Sequence, residues 1–172
     1  DEAHCPWGDE GVPAFNHNQW GASHPMLKGF YYRLFFGVTM CNHYLEVAAD
    51  YDVQMTAEVR YLRALYYSIL MDGYGNVPFV TSVSSQLAQQ KSRPEMFQWI
   101  VGELNEIEPL LADAKVKKDT DEGYGRVDKA AVWMLLTRLY LNAEVYTGEA
   151  KWAEAKQYAK KASDLRKVGG HV

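Results

Sequence analysis

Between Ala57 and Leu70 the chain reads Ala-Glu-Val-Arg-Tyr-Leu-Arg-Ala-Leu-Tyr-Tyr-Ser-Ile-Leu, a helical stretch that is apolar nearly all round. Only a strip through Thr56, Arg60, Arg63 and Tyr67 offers polar groups. A helix of that kind has no broad face to give to water and must be packed by neighbours on most sides. The rest of the chain has to supply them.

The neighbours it offers are helices too. Leu27, Phe30, Leu34, Val38, Cys41, Leu45 and Ala48 recur at steps of three or four, which predicts a helix over about 25–49. The central helix is expected over 53–73, because Gly73 and Gly75 can take the positive φ that ends a helix and Pro78 cannot continue one. An extended segment over 77–83 follows. Ser92 and Glu95 have capping-box spacing, and Phe97, Ile100, Val101, Leu104, Ile107 and Leu111 share one stripe, predicting a helix over 93–114 whose last turn loosens at Pro109. Lys115 to Glu122 reads as a wet turn that includes Lys117 and Lys118.

The next segment, 127–146, has an unbroken apolar centre from Ala130 to Leu136 and is expected to be the most buried helix, with Trp133, Met134, Tyr140 and Tyr146 as interior packing. After Gly148, Trp152, Ala155, Ala159 and Ala162 recur on one face of a helix over 151–166 that should cover it, with Lys151, Lys156, Lys160 and Lys161 elsewhere. Alanines let two helices approach closely, so this pair has the layout of a tetratricopeptide unit. Such units stack in threes or more, and the chain is therefore expected to be an excerpt of a longer protein. Residues 1–24 show no period and read as a loop rich in aromatic and amide groups.

Composition narrows the function classes. With 48% hydrophobic and 23% charged residues the chain can bury a core, and a net charge of -4 gives no electrostatic reason to expect nucleic acid or anionic lipid. Two cysteines, Cys5 and Cys41, make neither a disulfide framework nor a four-ligand zinc site, although one bridge between them stays open. No run approaches the roughly 20 apolar residues of a membrane helix. Twelve Tyr, six Phe and five Trp exceed what core packing needs, which leaves flat amphipathic surface for binding.

Two passages carry a family likeness. Ala57 to Tyr67, with Glu58, Arg60 and Arg63 among aromatics and Leu, followed by Tyr74-Gly75-Asn76-Val77-Pro78-Phe79-Val80-Thr81, resembles the SusD/RagB signature. Gly125-Arg126-Val127-Asp128-Lys129-Ala130-Ala131 through Leu135-Leu136-Thr137-Arg138-Leu139-Tyr140-Leu141 is similar to the Gly-Arg opening and Leu-Leu-x-Arg-x-Tyr-Leu helix of the same family, and Cys41-Asn42 with Leu45 resembles the helix that precedes the signature. The likeness spans nearly the whole chain but only an early-middle part of a typical member, without its lipid-anchor cysteine or later regions.

The resemblance implies an all-α, TPR-like helical-repeat scaffold of the SusD type with long irregular loops, with residues 1–172 forming part of a single domain. It also implies a lipid-anchored protein on the outer face of a Gram-negative, Bacteroidetes-type outer membrane. There it would capture an oligosaccharide, or in RagB-like members a peptide, for a TonB-dependent β-barrel transporter of the SusC kind. Membrane contact would come only through the lipid anchor.

Candidate ligand residues lie in the first loop. Trp7 and Trp20 offer rings for the apolar face of a pyranose, while Asp9, Asn16, His17 and Asn18 offer carboxylate, imidazole and amide partners for hydroxyls. The alternative is that Trp7 and Trp20 pin the loop to the helices. Arg60 and Arg63 read as scaffold ion pairs rather than a carboxylate clamp. Asp1, Glu2, His4, Cys5, Asp9 and Glu10 follow no metal-site spacing, so neither metal nor cofactor is expected. No nucleophile elbow, zinc-protease helix, phosphate loop or Cys-x-x-Cys is present, which argues against an enzyme, although paired carboxylates among Asp9, Glu10, Asp50 and Asp52 could serve a glycosidase. A helical-repeat scaffold for a protein partner is the remaining alternative.

Overall fold

The computed structural model describes residues 5–115 and 117–168. Its helices are α1 (Val12–Asn16), α2 (Pro25–Val47), α3 (Val53–Tyr74), α4 (Arg93–Ile107), α5 (Lys129–Leu141), α6 (Ala143–Thr147) and α7 (Trp152–Val168). Two three-residue strands, β1 (Val77–Phe79) and β2 (Gln89–Lys91), pair antiparallel between α3 and α4. The architecture is all-α and TPR-like. α3 lies against both α2 and α4, and α7 packs along α5.

Local chemistry sets the ends. The Asp52 carboxylate accepts the Met55 N–H at 2.7 Å to start α3, and Gly75 at φ 79° stops it. At α4 the Glu95 carboxylate accepts both the Ser92 N–H (2.8 Å) and the Ser92 hydroxyl, closing the expected capping box. Pro109 has no N–H to give, and α4 hands over at Ile107 to one 3-10 turn, Glu108–Leu110, rather than running to 114.

Three other expectations are corrected. The segment 127–146 is two helices: Asp128 caps Ala130 and Ala131, so α5 begins at Lys129, and Asn142, whose side-chain amide donates to the Arg138 carbonyl at 2.9 Å, breaks it before α6. The expected interior helix is no more buried than its neighbours: four α5 residues are buried against five on α4 and seven on α3, and Met134 and Leu141 of α5 look outward. Val12–Asn16 is a short helix inside the expected loop, with Pro13 in its first turn.

Side-chain phase also differs. Phe30 is about half exposed rather than core, since Leu34, Val38 and Cys41 already fill the buried edge of α2. On α7 the packing edge runs through Ala155 and Tyr158, whose ring stacks on Tyr140 at 5.8 Å, so Trp152 and Ala159 are left exposed. Lys117 is not a wet-turn lysine: its ammonium donates to the Gly123 carbonyl at 3.3 Å and lies 3.7 Å from Asp128.

The core polar strip of α3 ties the layers together. Arg60 makes a two-pronged contact with Glu103 of α4 (2.9 and 3.0 Å) and reaches Glu106, which raises its pKa chiefly through the Glu103 hydrogen bond. Arg63, buried, donates to the Asn42 carbonyl oxygen of α2 at 3.0 Å and stacks its guanidinium 5.5 Å from the Trp99 ring. Asn42 in turn donates to the Val80 carbonyl, and the Tyr67 hydroxyl takes the Val80 N–H at 2.8 Å. Burial pushes Tyr67 up to about 12, so its hydroxyl stays a neutral partner. The signature arginines thus lock α2, α3, α4 and the segment after β1, as the scaffold reading required.

Candidate functional site

The first turns of α2 and the last turn of α3 run in opposite directions beside the loop before α2, and between them opens a cleft of about 600 Å³. Trp20, Leu27, Lys28, Tyr31, Tyr32 and Tyr74 line it. Tyr74 is set by its hydroxyl donating to the Leu27 carbonyl at 2.7 Å and by an edge contact with Tyr31 at 5.2 Å. Burial raises the pKa of Tyr31 and of Tyr74, so both phenols remain neutral hydrogen-bonding groups. Tyr32 is 60% and Trp20 48% exposed, which leaves ring surface open to a ligand. Lys28 lies 5.8 Å from the Tyr32 ring and is the only charged residue of the lining among the described residues.

The loop that delivers Trp20 is held by short-range bonds. His24, buried at the start of α2, meets the Gly11 carbonyl through Nε2 at 3.0 Å and makes a tilted ring contact with Phe15 at 4.3 Å. Gly11 is at φ 95°, and a Cβ there would fall 2.6 Å from the His24 ring. Phe15 then touches Trp20 at 5.4 Å. Trp20 therefore rests on a run of tilted ring contacts, Trp20 on Phe15 on His24, rather than on free loop.

The six loop residues singled out from sequence separate in space. Trp20 lines the cleft. Trp7 is 71% exposed and Asp9 is exposed, and neither lines it. Asn16 has both ends of its amide taken by the backbone of Cys5, at 3.1 and 2.8 Å. His17 Nδ1 donates to the Pro13 carbonyl at 2.7 Å, and Asn18 adopts φ 55° to turn the chain. Sequence reasoning missed Lys28, Tyr31, Tyr32 and Tyr74. The available signal was the pair Tyr31-Tyr32, set off the apolar stripe in the second turn of the helix that follows the Trp20 loop.

Both cysteines are free, Cys5 exposed and Cys41 buried on α2. Asp1, Glu2 and His4, and Gly169, Gly170, His171 and Val172 at the other end, lie outside the described residues. Among the described residues no three His, Cys, Asp or Glu side chains group as a metal site, and no helix is long and apolar enough to cross a membrane.

Comparison with known proteins gives the following. No family model matches the chain. It is 37% identical over 164 residues to the starch-binding protein SusD of Bacteroides thetaiotaomicron, covering 91% of this chain and 29% of that protein. A crystal structure with xylogluco-oligosaccharide superposes at a TM-score of 0.74 with 22% identity, covering 97% of this chain and 34% of that one. The surface glycan-binding protein A of Bacteroides uniformis superposes at 0.71 with 24% identity, covering 90% and 35%. The chain thus spans about a third of the length of the proteins it matches.

Proposed function

We propose, from the premise that this chain is a homologue of SusD, that it forms part of a non-catalytic capture protein for extracellular oligosaccharide. One observation carries this reading: two exposed rings, Trp20 and Tyr32, flank a preformed cleft with neutral phenols and a single lysine. A pyranose has an apolar face that a ring can cover and a rim of hydroxyls that bond to phenol and ammonium groups, and the ring positions here are fixed before a ligand arrives. The starch-binding role of SusD supports the same ligand class. We extend the reading to residues 1–172 as part of one α-helical domain. From the family likeness of the α3 and α5 signatures we also infer delivery to a SusC-like TonB-dependent transporter, at the cell surface of an outer membrane reached by a lipid anchor. Trp7, Asp9, Asn16, His17 and Asn18 belong to this reading as the loop that presents Trp20, with Trp7 and Asp9 free to touch the outer end of a ligand.

The test is calorimetric titration of the whole protein with malto-, laminari- and xylogluco-oligosaccharides, beside Trp20→Ala, Tyr32→Ala and Trp7→Ala. Binding without hydrolysis, lost by at least about tenfold in Trp20→Ala with unchanged circular dichroism, is the expected result. No saccharide binding by the wild type, with binding of peptides instead, would replace this function with a RagB-like one.

A further inference from the structure

A second cleft, of about 420 Å³, lies between α4 and the turn that joins α6 to α7. Gln98, Asn105, Tyr140, Glu149, Lys151 and Glu154 line it, with Phe97 and Gly102 on its α4 side. The Tyr140 ring is held by a stack on Tyr158 and an edge contact with Phe97 at 6.0 Å, and the Asn105 carbonyl oxygen accepts the Tyr158 hydroxyl at 3.3 Å. Ring, amides and carboxylates converge here, the residue types that take up a sugar's apolar face and hydroxyl rim.

The two clefts share one end of the helix bundle. Gly73 and Tyr74 line the first, and the adjacent residue Asp72 accepts the Tyr146 hydroxyl at 2.7 Å. The Tyr146 ring lies 6.2 Å from Phe97, which lines the second cleft. Around this bridge Asp72 and Arg138, 3.7 Å apart, are both largely open to solvent. Buried contacts through Tyr146 and Phe97 thus join the walls of the two clefts, and Asp72 with Arg138 supplies polar groups on the surface beside them.

We propose that the second cleft is a further saccharide subsite, and that one extended, uncharged glycan runs from the Trp20 cleft across the end of α3 to the Gln98–Tyr140 cleft. This rests on the glycan-capture reading. Charge selects the ligand class: among the described residues the first cleft presents a lysine and the second two carboxylates and one lysine, so the two ends differ in sign and a neutral chain is the ligand that neither end repels. A neutral chain that engages both gains affinity with length, because the second contact is intramolecular once the first is made.

Gly102→Leu tests this. A Cβ at position 102 meets nothing within 4 Å, so a side chain can leave the backbone there toward the cleft, and leucine removes a glycine from a helix interior. Gln98→Ala, at an exposed position, is the second variant. Each is titrated against maltotriose and maltoheptaose, and against laminari-oligosaccharides of matching lengths, with Trp20→Ala alongside. The expected result is that the longer chain loses roughly tenfold in affinity in Gly102→Leu and Gln98→Ala while the shorter binds as in wild type. Wild-type binding that does not rise with length, or that rises equally in Gly102→Leu, overturns the second subsite while leaving the Trp20 cleft standing. Failure of the wild type to bind any saccharide overturns both.

Discussion

Glu103→Gln isolates the electrostatic knot at the middle of the scaffold. Glu103 is 12% exposed and faces two arginines: Arg60 through two hydrogen bonds, and Arg63, only 7% exposed, at 3.6 Å. Glutamine keeps the shape but can accept at only one end and carries no charge. Breaking a buried ion pair by removing one partner costs about 3–5 kcal/mol. Arg60 retains Glu106, and Arg63 retains the Asn42 carbonyl oxygen, which lowers the expectation to about 2–3 kcal/mol. Glu106, 69% exposed, makes a surface pair with Arg60, and Glu106→Gln should cost under about 1 kcal/mol. Native-state hydrogen exchange at the α3 and α4 amides reads both values, since those helices are joined by the knot. Equal losses in the two variants, or a loss below about 0.5 kcal/mol for Glu103→Gln, would refute the assignment of Glu103 as the buried counter-ion.

Gly37→Ala and Gly102→Ala should move in opposite directions: a Cβ at 37 falls 2.6 Å from the Tyr66 ring and costs about 1–3 kcal/mol, whereas the open site at 102 gains up to about 1 kcal/mol, both read from urea midpoints. Tyr67→Phe removes the hydroxyl that holds Val80 and should cost about 1–2 kcal/mol with the Val80 amide exchanging faster; unchanged exchange there would contradict the bond. The Ser92 hydroxyl and N–H hold the Glu95 carboxyl below its ordinary 4.5, so its contribution to the start of α4 is present above that pH and is lost as pH falls through the lower folded value. Amide protection in the first turn of α4 should therefore drop on acidification in the wild type and stay flat in Glu95→Gln.

How much of this was legible in the chain follows the range of the interactions. Helix ends written in one or two residues were read well: Ser92 with Glu95, Gly75, and the loosening at Pro109 all act within a turn. The break at Asn142 was missed because an amide that bonds its own helix at Arg138 looks, in sequence, like any polar residue on a surface. The phase of α7 was missed for a different reason. Three alanines make a tidy stripe, but the larger ring of Tyr158 gains more by stacking on Tyr140 and turns the helix toward itself. The loop candidates shared the right chemistry with a ligand site, yet Asn16 and His17 spend it on backbone groups, Asn18 turns the chain at φ 55°, and only the tertiary placement of Trp20 against α2 and α3 distinguishes it from Trp7.

The division between scaffold and cleft also has an energetic side. The passages that resemble the family signature include Arg60, Arg63, Tyr67 and Asn42, each tied into a partly or fully buried network where one substitution leaves partners unsatisfied. The cleft residues Trp20, Lys28 and Tyr32 are exposed, and changing them removes little from the fold. A scaffold built this way can exchange one set of rings and amides for another at the end of α3 while its central knot stays intact. The family likeness is therefore readable from α3 and α5, whereas the identity of a ligand would be set by Trp20, Tyr32 and Gln98, which lie outside those signature passages.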